Sequence, residues 1–250
     1  MNMKKNIIKG VLITALAATC AVILSHLISF HSRDYEAKSV SESPKQIAFT
    51  FDDGPGENTE MLLDGLKERN AKASFFLLGC HAEDYPELVG RMCSEGHLIG
   101  NHTYSHVNLR KSSKSEGKSE IEKTDAIIEA ITGEKPQFMR PPYGAYTGLT
   151  LKRFDKIAVL WSMCPKDWEH GDDVDYICSY IVKHAKDGQI VLLHDPRPAT
   201  VPAVLKAMDI LADEGFEFVR ADELLCRNGN KLSAGLAYRY CADNGLIYWF

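Results

Sequence analysis

The chain has 250 residues, 45% of them hydrophobic, and a formal net charge of −5 with a pI near 6.0. That is enough apolar material for one full core of catalytic size. The acidic balance argues against nucleic acid as a partner, since phosphate binding needs a basic face.

Residues 1–30 read as a cytoplasmic stub and signal-anchor. Lys4, Lys5 and Lys9 precede a nearly continuous apolar run over residues 11–30. Its length suits a bilayer span, and the lysines predict that this end stays in the cytoplasm. The expectation is a single-pass protein of the cell membrane, held through its N-terminal helix, with the remainder of the chain outside. The alternative is secretion after signal-peptide cleavage, because Ala15-Leu16-Ala17 resembles a small-residue cleavage site. The apolar run continues past it through Val22, Ile23 and Leu24, which favours the anchor. Residues 31–45 are polar and read as a linker.

The folded domain is expected over residues 46–226. Residues 47–51 read as a buried strand with Ile47, Phe49 and Phe51 on one face; it stops in Asp52 and Asp53 before a Gly54-Pro55 turn. Asn58-Thr59 caps a helix to about residue 69. A strand over 72–78, a helix over 85–93 and a short strand over 97–101 follow, leading into His102-Thr-Tyr-Ser-His106. Residues 111–119 are charged and serine-rich and read as a loop before a helix over 120–131, which Gly133 ends. A strand over 137–139 runs into Arg140-Pro-Pro-Tyr-Gly144. A helix over 150–154 leads to a strand over 157–163, then Cys164-Pro-Lys-Asp-Trp168. The remainder is a helix over 174–185, a strand over 190–193 ending in His194-Asp195, a helix over 201–213, a strand over 216–219 and a helical turn over 221–225. Residues 227–250 read as a C-terminal extension containing a hairpin, with no function assigned.

Seven apolar strands alternating with helices predict an α/β fold, a distorted (β/α)7 barrel, with an open doubly wound sheet as the rival. Barrels of this class build their sites at the C-terminal ends of the strands. Asp52, Asp53, His102, His106, Arg140, Asp167 and His194 all fall at such ends. His102 and His106, four apart, would point the same way on a helical turn. Two histidines and a carboxylate are a common ligand set for a zinc-type ion. Asp53 would be the carboxylate ligand, Asp52 a base, Arg140 its orienter, and His194 a general acid tuned by Asp167. Six cysteines follow the apolar run, at 80, 93, 164, 178, 226 and 241. They read either as three disulfides or as small buried hydrophobes, and no Cys-x-x-Cys pair marks a structural zinc site.

Thr50-Phe-Asp-Asp-Gly-Pro55, His102-Thr-Tyr-Ser-His106, Arg140-Pro-Pro-Tyr-Gly144, Asp167-Trp168 and Leu192-Leu-His194 together resemble the five ordered motifs of the polysaccharide deacetylase family (carbohydrate esterase family 4, with its NodB-homology domain). The resemblance covers about residues 46–226. It implies a distorted (β/α) barrel that hydrolyses N-acetyl groups from N-acetylglucosamine-type residues of a cell-envelope polysaccharide, with peptidoglycan favoured. It implies one divalent metal, zinc first, with cobalt, manganese or nickel as alternatives, on Asp53, His102 and His106. Asp52 would be the base, oriented by Arg140; the Tyr143 N–H would hold the oxyanion; Trp168 and Leu192 would line the acetyl pocket; His194 would protonate the leaving amine. The partner implied is an N-acetylated polysaccharide. The rivals are an O-acetyl esterase of the xylan type and a non-catalytic carbohydrate-binding relative. One departure stands out: the family places an acid three residues before Asp167, where this chain has Cys164. A thiolate there could approach the metal.

Overall fold

The computed structural model describes residues 44–242 and 245–249. The expected anchor, and the linker up to residue 43, lie outside the described residues. No helix among the described residues is long and apolar enough to cross a membrane. The domain opens earlier than expected, for Lys45 already belongs to the first strand, β1 (Lys45–Asp52).

The order of elements is β1, α1 (Thr59–Glu68), β2 (Ser74–Leu77), α2 (Gly79–Asp84), α3 (Pro86–Ser94), β3 (Leu98–Asn101), α4 (Lys114–Thr132), β4 (Phe138–Met139), α5 (Gly148–Phe154), β5 (Ile157–Val159), α6 (Val174–His184), β6 (Ile190–His194), α7 (Thr200–Asp213), β7 (Phe216–Phe218), α8 (Ala221–Cys226), β8 (Ala237–Ala242) and β9 (Gly245–Trp249). The first seven strands pair in parallel. A parallel bridge between Met163 and Val191 joins the chain after β5 to β6. The path β6-β1-β2-β3-β4-β5 therefore closes on itself, as a distorted barrel rather than an open sheet.

Two irregularities distort the ring. β7 does not stand between β6 and β1, because β6 already pairs with β1 along residues 48–52. β1 is long enough to leave its first three residues unpaired by β2, and β7 takes that edge, with Lys45 opposite Phe216 and Ile47 opposite Phe218. The second irregularity is β8, which pairs in parallel with β5 and bridges Gln189 through Tyr240. The C-terminal hairpin is thus part of the wall between β5 and β6. Gly188, at φ +81°, lets this wedge close: a Cβ there would lie 1.9 Å from the Cys241 carbonyl oxygen.

Alternation along β1 sorts the two layers. Ile47, Phe49 and Phe51 face outward into a large core with Leu62 and Leu66 of α1 and Val204 and Leu211 of α7. Ala48 faces a smaller core with Phe76, Val159, Ile190, Leu225 and Tyr238. Thr50 and Asp52 continue that second row toward the C-terminal rim.

Residues 114–119 are helix rather than loop. Ser113 accepts from the Glu116 N–H, and the Glu116 carboxylate accepts from the Ser113 N–H, forming a capping box that starts α4 early. Among the described residues, cysteines 80, 93, 164, 178, 226 and 241 are all free, and only Cys178 and Cys241 are buried.

Candidate active site

The rim is assembled around the end of β1. Asp52 is the last residue in the ladder, directly opposite His194 of β6. Asp53 leaves the strand at φ +68°. Its backbone carbonyl is held by His81 Nδ1 at 2.6 Å, and the next carbonyl, of Gly54, accepts from the Leu78 N–H. The two adjacent carboxylates are thereby turned toward different partners.

Asp52 faces Arg140. The guanidinium is fully buried, donating to Asp52 Oδ1 at 2.8 Å, to Thr50 Oγ1 at 2.7 Å and to the carbonyls of Val159 and Leu160. Burial raises the Asp52 pKa above the ordinary carboxylate value, and the Arg140 charge and hydrogen bond oppose that rise. The Val159 and Leu160 carbonyls are spent on Arg140, and β5 ends at Val159 instead of continuing to residue 163 as expected.

Asp53 faces the two histidines. Its Oδ1 lies 3.5 Å from His102 Nε2 and 3.5 Å from His106 Nε2, and is a buried oxygen with no hydrogen-bond partner. One donor atom from each of the three residues lies within 4.8 Å of the others. His102 Nδ1 sits 2.5 Å from the Arg140 carbonyl and so must carry the proton, leaving the Nε2 lone pair for the cradle. Burial lowers the His102 pKa to about 3, which keeps the ring neutral. A buried acceptor without a donor, facing two imidazole lone pairs, is a donor set that fits a divalent cation. No other group of three such ligands occurs among the described residues.

The two histidines are not on a helical turn. They sit on a loop in which Thr103 (φ +68°) and His106 (φ +60°) both adopt left-handed backbone. The loop is pinned instead by polar side chains. Asn101 Oδ1 accepts from the Thr103 N–H, and the Glu120 carboxylate of α4 accepts from the Tyr104 and Ser105 N–H groups. Asn101 is itself anchored by Asp125, which pairs with Lys156 at 2.8 Å.

On the opposite side, Asp167 is fully buried. One of its oxygens contacts His194 Nδ1 at 2.9 Å; the other accepts from the His194 N–H and the Thr200 hydroxyl. Burial disfavours the charged imidazolium, but the Asp167 hydrogen bond and charge, together with the charges of Asp52 and Asp53, outweigh it, and the His194 pKa is raised. Trp168 packs edge-on against the same ring. Burial pushes the Cys164 thiol up to about 11, which favours its neutral form in the metal-free protein.

A cavity of 440 Å³ joins all these groups. It is lined by Asp52, Asp53, His102, His106, Tyr143, Trp168, Leu192 and His194, and also by Gly144, Trp161 and Arg197. Every expected site residue except Arg140 and Asp167 reaches the cavity surface, and those two lie behind Asp52 and His194. Thr50, His81, Asn101, Glu120, Trp161, Arg197 and Thr200 were not expected. Of these, only Thr50 and Asn101 carried a signal: each is a polar residue inside or ending an apolar strand.

A family model described as polysaccharide deacetylase matches residues 39–159. A peptidoglycan-N-acetylglucosamine deacetylase of Bacillus cereus is 40% identical over 182 residues, covering 70% of this chain and 66% of its own length. A second B. cereus protein of the same name is 38% identical over 200 residues, covering 76% of this chain and 93% of its own. The chain belongs to the polysaccharide deacetylase family. Among solved structures, the T48 deacetylase with substrate superposes with a TM-score of 0.73 at 39% identity, covering 78% of this chain and 96% of that one. The chain spans 66% of the first B. cereus relative and 44% of a Listeria monocytogenes one. Within the family frame, the Asp53–His102–His106 cradle is consistent with a divalent metal site.

Proposed function

We propose that the chain is a metal-dependent deacetylase that hydrolyses N-acetyl groups of peptidoglycan. The observation that carries this is the Asp53 Oδ1 orphan between two histidine Nε2 atoms, flanked by one residue fitted to accept a proton and another fitted to donate one. A divalent ion on Asp53, His102 and His106, which we take to be zinc, supplies Lewis-acid polarisation of the acetyl carbonyl and of the attacking water.

The chain's own residues do the rest. Asp52, whose ionised form Arg140 favours against the effect of burial, takes the proton of the water as it attacks the acetyl carbon. Leu192 and Trp168, both lining the cavity, seat the acetyl methyl. The Tyr143 N–H, on the Arg140-Pro-Pro-Tyr turn, holds the developing oxyanion. The C–N bond then breaks as His194 gives its proton to the departing amine, a poor leaving group without it. Asp167 keeps that imidazole charged and oriented. All ten expected site residues are present, which supports catalysis over a non-catalytic binding role.

The names of the B. cereus relatives support peptidoglycan as the polymer. The apolar run over residues 11–30, preceded by lysines, supports a membrane tether that keeps the site beside the producer's own wall. The test is acetate release by the zinc-loaded full chain in detergent from peptidoglycan, chitooligosaccharide and O-acetylated xylan. Release from the N-acetylated polymers, lost on chelation and restored by zinc, is expected. Release from xylan alone would replace this reading with the esterase one.

A further inference from the structure

The loop that carries His102 and His106 is held from α4 at two points. One is near the surface, where Glu120 accepts from the Tyr104 and Ser105 N–H groups. The other is buried. Asn101, the last residue of β3, is fully buried and uses every polar atom of its side chain. Its Oδ1 accepts from the Thr103 N–H at 2.8 Å, while Nδ2 donates to the Ile121 carbonyl at 2.9 Å and to Asp125 Oδ1 at 2.8 Å. The second Asp125 oxygen lies 2.8 Å from Lys156 Nζ and 3.5 Å from Nζ of the exposed Lys135. Asp125 and Lys156 are each only 3% exposed. Lys156 stands just before β5 and also donates to the Pro136 carbonyl, just before β4.

Stability alone does not call for such a pair. Taking two charges out of water costs about what their attraction returns, and apolar residues of similar size commonly serve as well or better. What a carboxylate offers here is two acceptor oxygens and no donor. One takes Lys156 and the other takes Asn101. The Asn101 NH2 group must then face Asp125, so its oxygen must face the Thr103 N–H. Thr103 stands between the two histidines at φ +68°, a conformation that a β-branched residue adopts only when it is held there. The Ile121 carbonyl favours the same amide orientation, so Asp125 is one of two constraints on it.

We infer that the buried Lys156–Asp125 pair is a positioning device for the metal cradle. Acting through Asn101 and the Thr103 turn, it keeps His102 and His106 set for one ion with Asp53 and so raises the affinity for that ion. The inference rests on the metal-site reading of Asp53, His102 and His106 and deepens it to the residues that tune the site.

Two variants of the full chain in detergent separate positioning from bracing. Asp125→Asn leaves one oxygen for two donors; Lys156, the charged one, takes it and turns the new NH2 group against that of Asn101. Asp125→Leu combined with Lys156→Met replaces the pair by apolar groups and leaves no charge unpaired. The readouts are the thermal midpoint of the metal-free chain and the zinc Kd, by competition with a chromophoric chelator, for the binding that Asp53→Ala abolishes. Zinc Kd should rise by ~10–100-fold in Asp125→Asn and by ~10-fold or more in the double variant. The midpoint should fall in Asp125→Asn and return to the parent value or above in the double variant. Leu211→Ala, a deletion in the outer core, should lower the midpoint with zinc Kd unchanged. An unchanged zinc Kd in either variant, a Kd that recovers with the midpoint in the double variant, or an equal weakening in Leu211→Ala would overturn the inference. Should the double variant not fold, the Kd of Asp125→Asn decides. A parent chain that binds zinc no better than Asp53→Ala would overturn the metal reading and this inference with it. Zinc binding weakened as expected, with no acetate released by the parent from any polymer, would uphold the inference and overturn the deacetylase reading.

Discussion

β1 and β6 lie side by side, and each ends in two polar residues: Asp52-Asp53 on one, His194-Asp195 on the other. The first member of each pair points into the barrel and is matched to a buried partner of opposite charge, Arg140 for Asp52 and Asp167 for His194. The second members diverge. Asp53 leaves the ladder at positive φ and keeps an acceptor with no donor, open toward the cavity. Asp195 turns into the protein, takes the Thr59 hydroxyl on one oxygen, and sets the other, which likewise has no hydrogen-bond partner, against Gly54 rather than the cavity; a Cβ on that glycine would lie 2.4 Å from it. Equivalent positions on adjacent strands thus serve different ends. One presents a ligand, and the other braces the loop that carries it.

The largest effect should come from removing the ligand. Asp53→Ala is expected to lower acetate release by at least ~10³-fold, because several kcal/mol of charge stabilisation is lost at the transition state. Metal content of the purified variant, measured alongside, should fall with it. Asp195→Ala with an equal loss of bound metal would erase the contrast between the two.

Next in size is Asp52→Asn, which keeps the shape but cannot take a proton; kcat should fall by ~10²–10⁴ while metal content is retained. Retained activity would move the base elsewhere.

Asp167→Asn should act through pH. His194 must be protonated to donate, so activity falls as pH rises through its pKa, which the Asp167 charge helps to raise. Removing that charge should shift the alkaline limb of the kcat profile toward lower pH by roughly 1–3 units. The acidic limb should stay in place, since it belongs to Asp52 becoming protonated.

The smallest effect concerns stability. Burial lifts the Asp195 pKa to about 7, so the folded chain binds a proton there that the unfolded chain has released. A folded-state pKa raised in an acid means stability declines as pH rises from about 4 toward 7 and is lowest above that. Asp195→Asn should flatten this decline by about 2 kcal/mol between pH 5 and pH 8, read from denaturant midpoints. A slope identical to that of the parent would place the proton elsewhere.

Much of the rim was legible because strand ends are marked twice, by an apolar run that stops and by the polar residue that stops it. Asp52, Asp53, Arg140 and His194 all carry that mark. His102 and His106 were read correctly as partners but through the wrong backbone: their spacing suggests a helix, whereas two left-handed residues and the Asn101 and Glu120 hydrogen bonds shape a loop. Those contacts come from residues far from the histidines or hidden in a strand end, and periodicity has no access to them. The seven strands were legible as alternation, but not the place of β7, which depends on how much of β1 is left free by β2. The start of α4 was available in Ser113-Lys-Ser-Glu116, a capping box obscured by the charged, serine-rich composition around it. The wedge of β8 could not be read at all. It depends on β5 stopping at Val159 and on β8 then pairing with β5 while Tyr240 bridges Gln189 ahead of β6, contacts between segments far apart in the chain.

The most direct measurement is anomalous diffraction at the zinc edge from crystals of the zinc-loaded protein. A single strong peak within bonding distance, about 2.0–2.2 Å, of Asp53 Oδ1, His102 Nε2 and His106 Nε2 is predicted, with Asp52 still on Arg140. A peak on Asp52 or Asp195, or none in the cavity, would contradict the division of labour between the two strand ends.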